Sequence, residues 1–135
     1  MIIVSMDESA TESYEARPTV LLVEDEDAVR EIYTLQLQEE YDVQTAVDGD
    51  VSVDRIRDQI DIVLTDRRMP GTSGVELLER LRDCGITTPV VLVSAVNPDD
   101  VPDVPFQDYL TKPVTGAELK AAIEQHTDQS RTAAD

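Results

Sequence analysis

Two apolar rhythms alternate along this chain from about residue 19 onward. Thr19-Val20-Leu21-Leu22-Val23 is a continuous, largely β-branched apolar run, as expected of a strand covered on both faces. After the acidic stretch Glu24-Asp25-Glu26-Asp27, the residues Ala28, Val29, Ile32, Tyr33, Leu35 and Leu37 recur at three-to-four spacing and predict a helix. Asp42 to Ala46 predicts a second, short strand. Asp48-Gly49 then breaks the chain, and Val53, Ile56 and Ile60 mark a second helix. Asp61 to Thr65 predicts a third strand ending at Asp66. Pro70, Gly71 and Gly74 form a loop, and Ser73 is placed to cap a helix carrying Val75, Leu78 and Leu81. Pro89 to Val93 predicts a fourth strand ending at Ser94, and Tyr109-Leu110-Thr111 a short fifth one. Thr115, with Glu118 three residues later, is a capping box for a last helix built on Leu119, Ala122 and Ile123.

Strands alternating with amphipathic helices imply βαβ units, right-handed crossovers and a parallel sheet covered on both sides. The predicted fold is a doubly wound α/β three-layer sandwich. Its predicted domain spans residues 18–126, after a disordered leader at 1–17 and before a flexible tail at 127–135. The link between Ser94 and Lys112 is unusual. Asn97-Pro98 with Asp99 and Asp100 can start a helical turn, but Pro102 and Pro105 each remove a backbone donor, at about 3 kcal/mol apiece inside a helix. A fourth helix there is predicted to be one turn at most, or missing.

Charge narrows the function. The 135 residues carry 29 Asp and Glu against 11 Lys and Arg, a formal net charge of −18, and the only lysines are Lys112 and Lys120. Such a surface repels nucleic acid, so direct DNA contact by this chain is not expected. An acidic, lysine-poor surface resembles proteins that work in molar salt, where the screening length falls to about 3 Å; an acidic mesophilic protein is the alternative. No apolar run approaches the ~20 residues of a membrane-spanning helix, and a cytoplasmic location is expected. The single cysteine, Cys84, continues the rhythm of Leu77, Leu78 and Leu81 and reads as a half-buried structural thiol; His126 reads as a polar-tail residue.

The chemistry-bearing residues follow the predicted strands: Glu24 and Asp25 after the first, Asp66 after the third, Ser94 after the fourth and Lys112 after the fifth. In open α/β sheets ligands bind at that carboxyl edge, where strand order reverses. If the first and third strands are neighbours, Asp25 and Asp66 approach each other. A hard divalent cation such as Mg²⁺, which needs only one or two carboxylates, relieves their repulsion. Singly, each of these residues has an ordinary reading as a helix-start acid, a capping serine or a surface lysine. Together, on four strand ends, they point to one site.

Leu22-Val23-Glu24-Asp25, Asp66-Arg67-Arg68-Met69-Pro70-Gly71 with Gly74, Val93-Ser94-Ala95 and Tyr109-Leu110-Thr111-Lys112-Pro113 resemble the response-regulator receiver family over residues 19–125, most closely the receivers of halophilic archaea. The resemblance implies the CheY-like strand order 2-1-3-4-5 and a cis Lys112-Pro113 bond. It implies Asp66 as acceptor of a phosphoryl group from a sensor histidine kinase or phosphotransfer protein. Mg²⁺ would be held by Asp25, Asp66 and the backbone carbonyl of Arg68, with Glu24 acting through water. Ser94 and Lys112 would contact phosphoryl oxygens, and Ser94 and Tyr109 would form the switch that signals to a downstream effector. Weak homodimerisation is compatible with the family. The domain would not be an enzyme in the ordinary sense, but an acceptor that assists its own phosphorylation and dephosphorylation. An aspartyl-nucleophile phosphatase would need a second Asp where Arg68 stands. A flavin binder would need more than 4% aromatic residues. A phosphorylation-independent pseudo-receiver, serving as an interaction module, is the nearest alternative.

Overall fold

The computed structural model describes residues 17–66, 73–95 and 106–134. Five strands, β1 (Thr19–Val23), β2 (Asp42–Ala46), β3 (Ile62–Thr65), β4 (Val90–Ser94) and β5 (Asp108–Thr111), make one parallel sheet of order β2-β1-β3-β4-β5. Four helices lie among the described residues: α1 (Asp27–Leu37), α2 (Val53–Gln59), α3 (Gly74–Asp83) and α4 (Gly116–Ala134).

The period of two along each strand sorts the core into two layers. Val20 and Leu22 of β1, Ile62 and Leu64 of β3 and Val91 and Val93 of β4 pack with Tyr33 and Leu37 of α1 and Leu119 and Ile123 of α4. Leu21, Val23, Val63 and Val90 turn the other way, onto Ile56 of α2 and Leu77, Leu78 and Leu81 of α3. The continuous apolar runs therefore face apolar residues on both sides, as expected for central parallel strands. Ser73 accepts a hydrogen bond from the Glu76 amide at 3.2 Å, and Thr115 and Glu118 form the reciprocal capping box.

Several expectations need correction. Ile32 and Leu35 are 52% and 57% exposed, because the face that α1 turns to the sheet is the single row Val29, Tyr33 and Leu37. Cys84 is exposed: Leu81 is the last buried position of α3, and the turn at Gly85, with φ of 76°, carries the chain away. The last helix does not stop at residue 126. It continues to Ala134, with no glycine or proline to end it, and His126 and Thr127 are buried rather than part of a flexible tail. Arg17, assigned to the leader, donates to the carbonyls of Gln38 and Tyr41 at 2.6 and 2.9 Å. The leader up to residue 16 and the proline-rich link at 96–105, including the short or missing fourth helix, lie outside the described residues.

Candidate functional site

Sheet register fixes which strand ends meet. Val23 pairs with Thr65, so Glu24 and Asp66 leave neighbouring strands at the same level. Ser94 pairs with Thr111, and the Lys112 amide donates to the Ser94 carbonyl at 2.9 Å. The order reversal around β1 and β3 thus brings the strand ends that carry Glu24, Asp66, Ser94 and Lys112 to one edge of the sheet.

At that edge Lys112 pairs with both Glu24 and Asp66. Glu24 is only 2% exposed, and a buried carboxylate is tolerable only when paired and hydrogen-bonded. Its Oε1 accepts from Lys112 Nζ at 2.9 Å and its Oε2 from the Glu26 amide at 3.2 Å. The same Nζ donates to Asp66 Oδ2 at 2.9 Å, so the two carboxylates lie within twice that distance of each other. Burial alone would lower the Lys112 pKa. The hydrogen bonds to Asp66 and Glu24, and the charges of both, outweigh it and hold the ammonium well above the usual lysine range. Burial likewise raises the Tyr33 phenol, which also lies in the field of Lys112, Glu24, Asp66 and Glu26.

The other predicted residues divide. Asp25 is exposed, and its carboxylate accepts no hydrogen bond from any described residue. It thus stands next to the network without joining it. Ser94 is 1% exposed, at the end of β4. Tyr109 is half-buried on β5, its amide donating to Asp108 Oδ1 at 2.8 Å. The Lys112-Pro113 bond is cis. Arg68 lies outside the described residues.

Three residues shape this region in ways the sequence did not show, and Gly74, expected in a loop, instead opens α3. Gly74 lies so close to the end of β3 that a Cβ there would be 2.3 Å from the Asp66 carbonyl oxygen. Arg30 donates to the Glu24 carbonyl at 2.9 Å. His126 meets Asp108 Oδ2 through Nε2 at 3.1 Å, which fastens α4 to the start of β5. The glycine after Asp66 was a visible signal for the first. The other two contacts join residues whose partners cannot be named from local pattern.

Among the described residues no group of three or more His, Cys, Asp or Glu side chains converges on one point. The carboxylates that the sequence singles out, Asp25 and Asp66 beside Glu24, are hard oxygen donors, and Asp25 is exposed to solvent. That suits Mg²⁺, which keeps several waters and is held by one or two carboxylates plus a phosphate oxygen.

Comparison with known proteins identifies a family. The family model for the response regulator receiver domain matches residues 20–124. A Haloferax volcanii protein named as a transcriptional regulator is 38% identical over 122 residues, covering 87% of this chain and 21% of that protein. The chain spans about half the length of other curated relatives that it matches. The receiver domain of the Francisella response regulator 1452 superposes with a TM-score of 0.74 at 28% identity, covering 84% of this chain and 99% of that one. The receiver domain of the Pseudomonas aeruginosa sensor histidine kinase PA1611, solved with a magnesium ion in its active-site cleft, gives 0.72 at 25% identity, covering 84% and 99%.

Proposed function

We propose a phosphoryl-accepting function for this chain, which belongs to the response regulator receiver domain family. In this reading Asp66 takes a phosphoryl group from a phosphohistidine on a sensor kinase or phosphotransfer protein. A carboxylate oxygen forms the new P–O bond, the P–N bond breaks, and the bond's electrons stay with the imidazole, which leaves neutral because its other ring nitrogen already carries a proton. The observation that carries the reading is the Lys112 ammonium, held within 2.9 Å of both Asp66 and Glu24. Such transfer needs little covalent help beyond alignment and neutralisation of the equatorial oxygens.

Each residue has a defined part. Asp25 and Asp66, with the Arg68 carbonyl, would hold Mg²⁺, and Glu24 would act through water. Bound there, the ion supplies positive charge to the transferring group. Lys112 moves from Glu24 toward a phosphoryl oxygen, and the Ser94 hydroxyl donates to another. Tyr109, on the strand beside Ser94, carries the change to the surface. Ile32 and Leu35, exposed on α1 just beyond the acidic loop, offer an apolar footing for the donor protein. The output passes to a partner or to an attached effector. The net charge of −18 argues against DNA contact by this chain itself and fits a cytoplasm rich in salt. No described helix is long and apolar enough to cross a membrane.

Uptake of beryllofluoride with Mg²⁺, followed by fluorine NMR, tests the reading. Wild type should give a bound signal that Asp66→Asn lacks. No bound signal in wild type would leave the pseudo-receiver reading in its place.

A further inference from the structure

Asp25 poses a positional problem. Its carboxylate is exposed and accepts no hydrogen bond from any described residue, yet a metal ligand must be held in place to bind well. Since no described neighbour fixes the side chain, the backbone alone sets where its Cα–Cβ bond starts and points. The peptide joining Glu24 to Asp25 is planar, so fixing the Glu24 carbonyl oxygen fixes the plane from which the Asp25 Cα departs.

That carbonyl is held by Arg30. The guanidinium sits one helical turn above the acidic loop and divides its two arms. One Nη donates to the Glu24 carbonyl at 2.9 Å and the other to the Asp27 carboxylate. Arg30 therefore ties the residue before Asp25 to a residue two positions after it, bridging the turn at Asp25. Its backbone is anchored by the amide bond to the Glu26 carbonyl at 2.9 Å, and its side chain is only 20% exposed, so the fork is seated rather than waving in solvent. The remaining polar groups of Glu24 are also taken: the amide by Ala46, the carboxylate by Lys112 and the Glu26 amide. Loss of Arg30 would free a corner of this peptide that no other described residue holds.

We infer that Arg30 is a positioning residue for the Asp25 metal ligand, acting by orienting the Glu24–Asp25 peptide and not by its charge. The inference rests on the reading of Asp25 as a Mg²⁺ ligand. Charge and position predict opposite signs. A cation this close to the acidic pair repels Mg²⁺, so a purely electrostatic Arg30 weakens binding and its neutralisation should tighten it. A positioning Arg30 strengthens binding. Lysine keeps the charge but presents one compact ammonium in place of a planar fork, so it cannot span the carbonyl and the Asp27 carboxylate in the same way.

The test is Mg²⁺ titration of the full chain at fixed KCl, read from backbone amide shifts, which also report whether each variant is folded. Arg30→Gln and Arg30→Lys should both weaken Mg²⁺ binding by about tenfold, the lower end of what loss of an outer contact to a metal ligand costs. Tighter binding by Arg30→Gln, or unchanged binding by both variants, would overturn the inference. Asp25→Ala separates this from the reading beneath it. If Asp25→Ala loses Mg²⁺ while the Arg30 variants keep it, the site stands and the role of Arg30 falls. If Asp25→Ala binds like wild type, the metal site itself is misplaced and the inference falls with it.

Discussion

Gly74→Ala is a substitution of one methyl group whose consequences can be worked out in some detail. Gly74 opens α3 without a positive φ, so the demand for glycine there is steric and not conformational. An added Cβ would lie 2.3 Å from the Asp66 carbonyl oxygen and 3.1 and 3.2 Å from Cγ2 and Oγ1 of Thr65. Real Cβ atoms essentially never come closer than 3.0 Å, so α3 and the end of β3 must separate by about 0.7 Å. The obstacle is backbone, which cannot rotate away. Overpacking of this kind costs about 1–3 kcal/mol. The better helix propensity of alanine returns about 0.5–1 kcal/mol. The net expectation is a loss of up to about 2.5 kcal/mol, seen as a lower urea midpoint with an unchanged slope. Because the displaced atom belongs to Asp66, the proposed phosphoryl acceptor should also move. Displacement of a reacting group by about 1 Å costs on the order of a hundredfold in rate, so labelling by a small phosphodonor should slow by about tenfold or more even where the variant is fully folded. A variant with the wild-type midpoint and the wild-type labelling rate would refute the reasoning.

Two further outcomes follow from charge. If the net charge of −18 is an adaptation to salt, the melting temperature should climb steeply from tenth-molar to molar KCl as the Debye length shortens from about 10 to about 3 Å; a flat profile would leave an ordinary acidic protein. Lys112 is held above its unfolded value by Asp66 and Glu24, so the stability it contributes is complete below the ordinary lysine pKa and is lost as pH rises through the higher folded one. The raised Tyr33 phenol acts in the same direction. The melting temperature should therefore hold steady up to about pH 9 and fall beyond about pH 10, and Lys112→Met should blunt that fall. An unchanged alkaline limb in the variant would remove Lys112 as a source.

The sheet was legible because central parallel strands are apolar on both faces, and the runs at Val20–Val23, Ile62–Leu64 and Val90–Val93 cannot easily be anything else. The site was legible for a related reason. Chemistry collects at the carboxyl ends of such strands, so Glu24, Asp66, Ser94 and Lys112 stood out once the strands were placed. What local pattern could not reveal was how those residues share their bonds. Lys112 and Glu24 are 88 positions apart, and only the register of β1, β3, β4 and β5 shows that one ammonium serves two carboxylates while Asp25 is left open. The burial of His126 was hidden in the same way. Its partner Asp108 lies on another element, and nothing in a polar run such as Gln125 to Asp128 announces a helix seated against a strand. The outward turn of Ile32 and Leu35 reflects a choice among apolar residues all round α1, made by packing rather than by periodicity.

Asp66 as the single phosphoryl acceptor is tested most directly by mass. Wild type and Asp66→Asn, which keeps side-chain size but removes the anionic nucleophile, are incubated with a small phosphodonor and Mg²⁺. The intact mass is then read before the acyl phosphate hydrolyses. The account predicts the gain of one phosphoryl group by wild type and none by Asp66→Asn, with the labelled peptide containing residue 66. Equal labelling of the two proteins, or no labelling of wild type under conditions where it is folded and binds Mg²⁺, would contradict it.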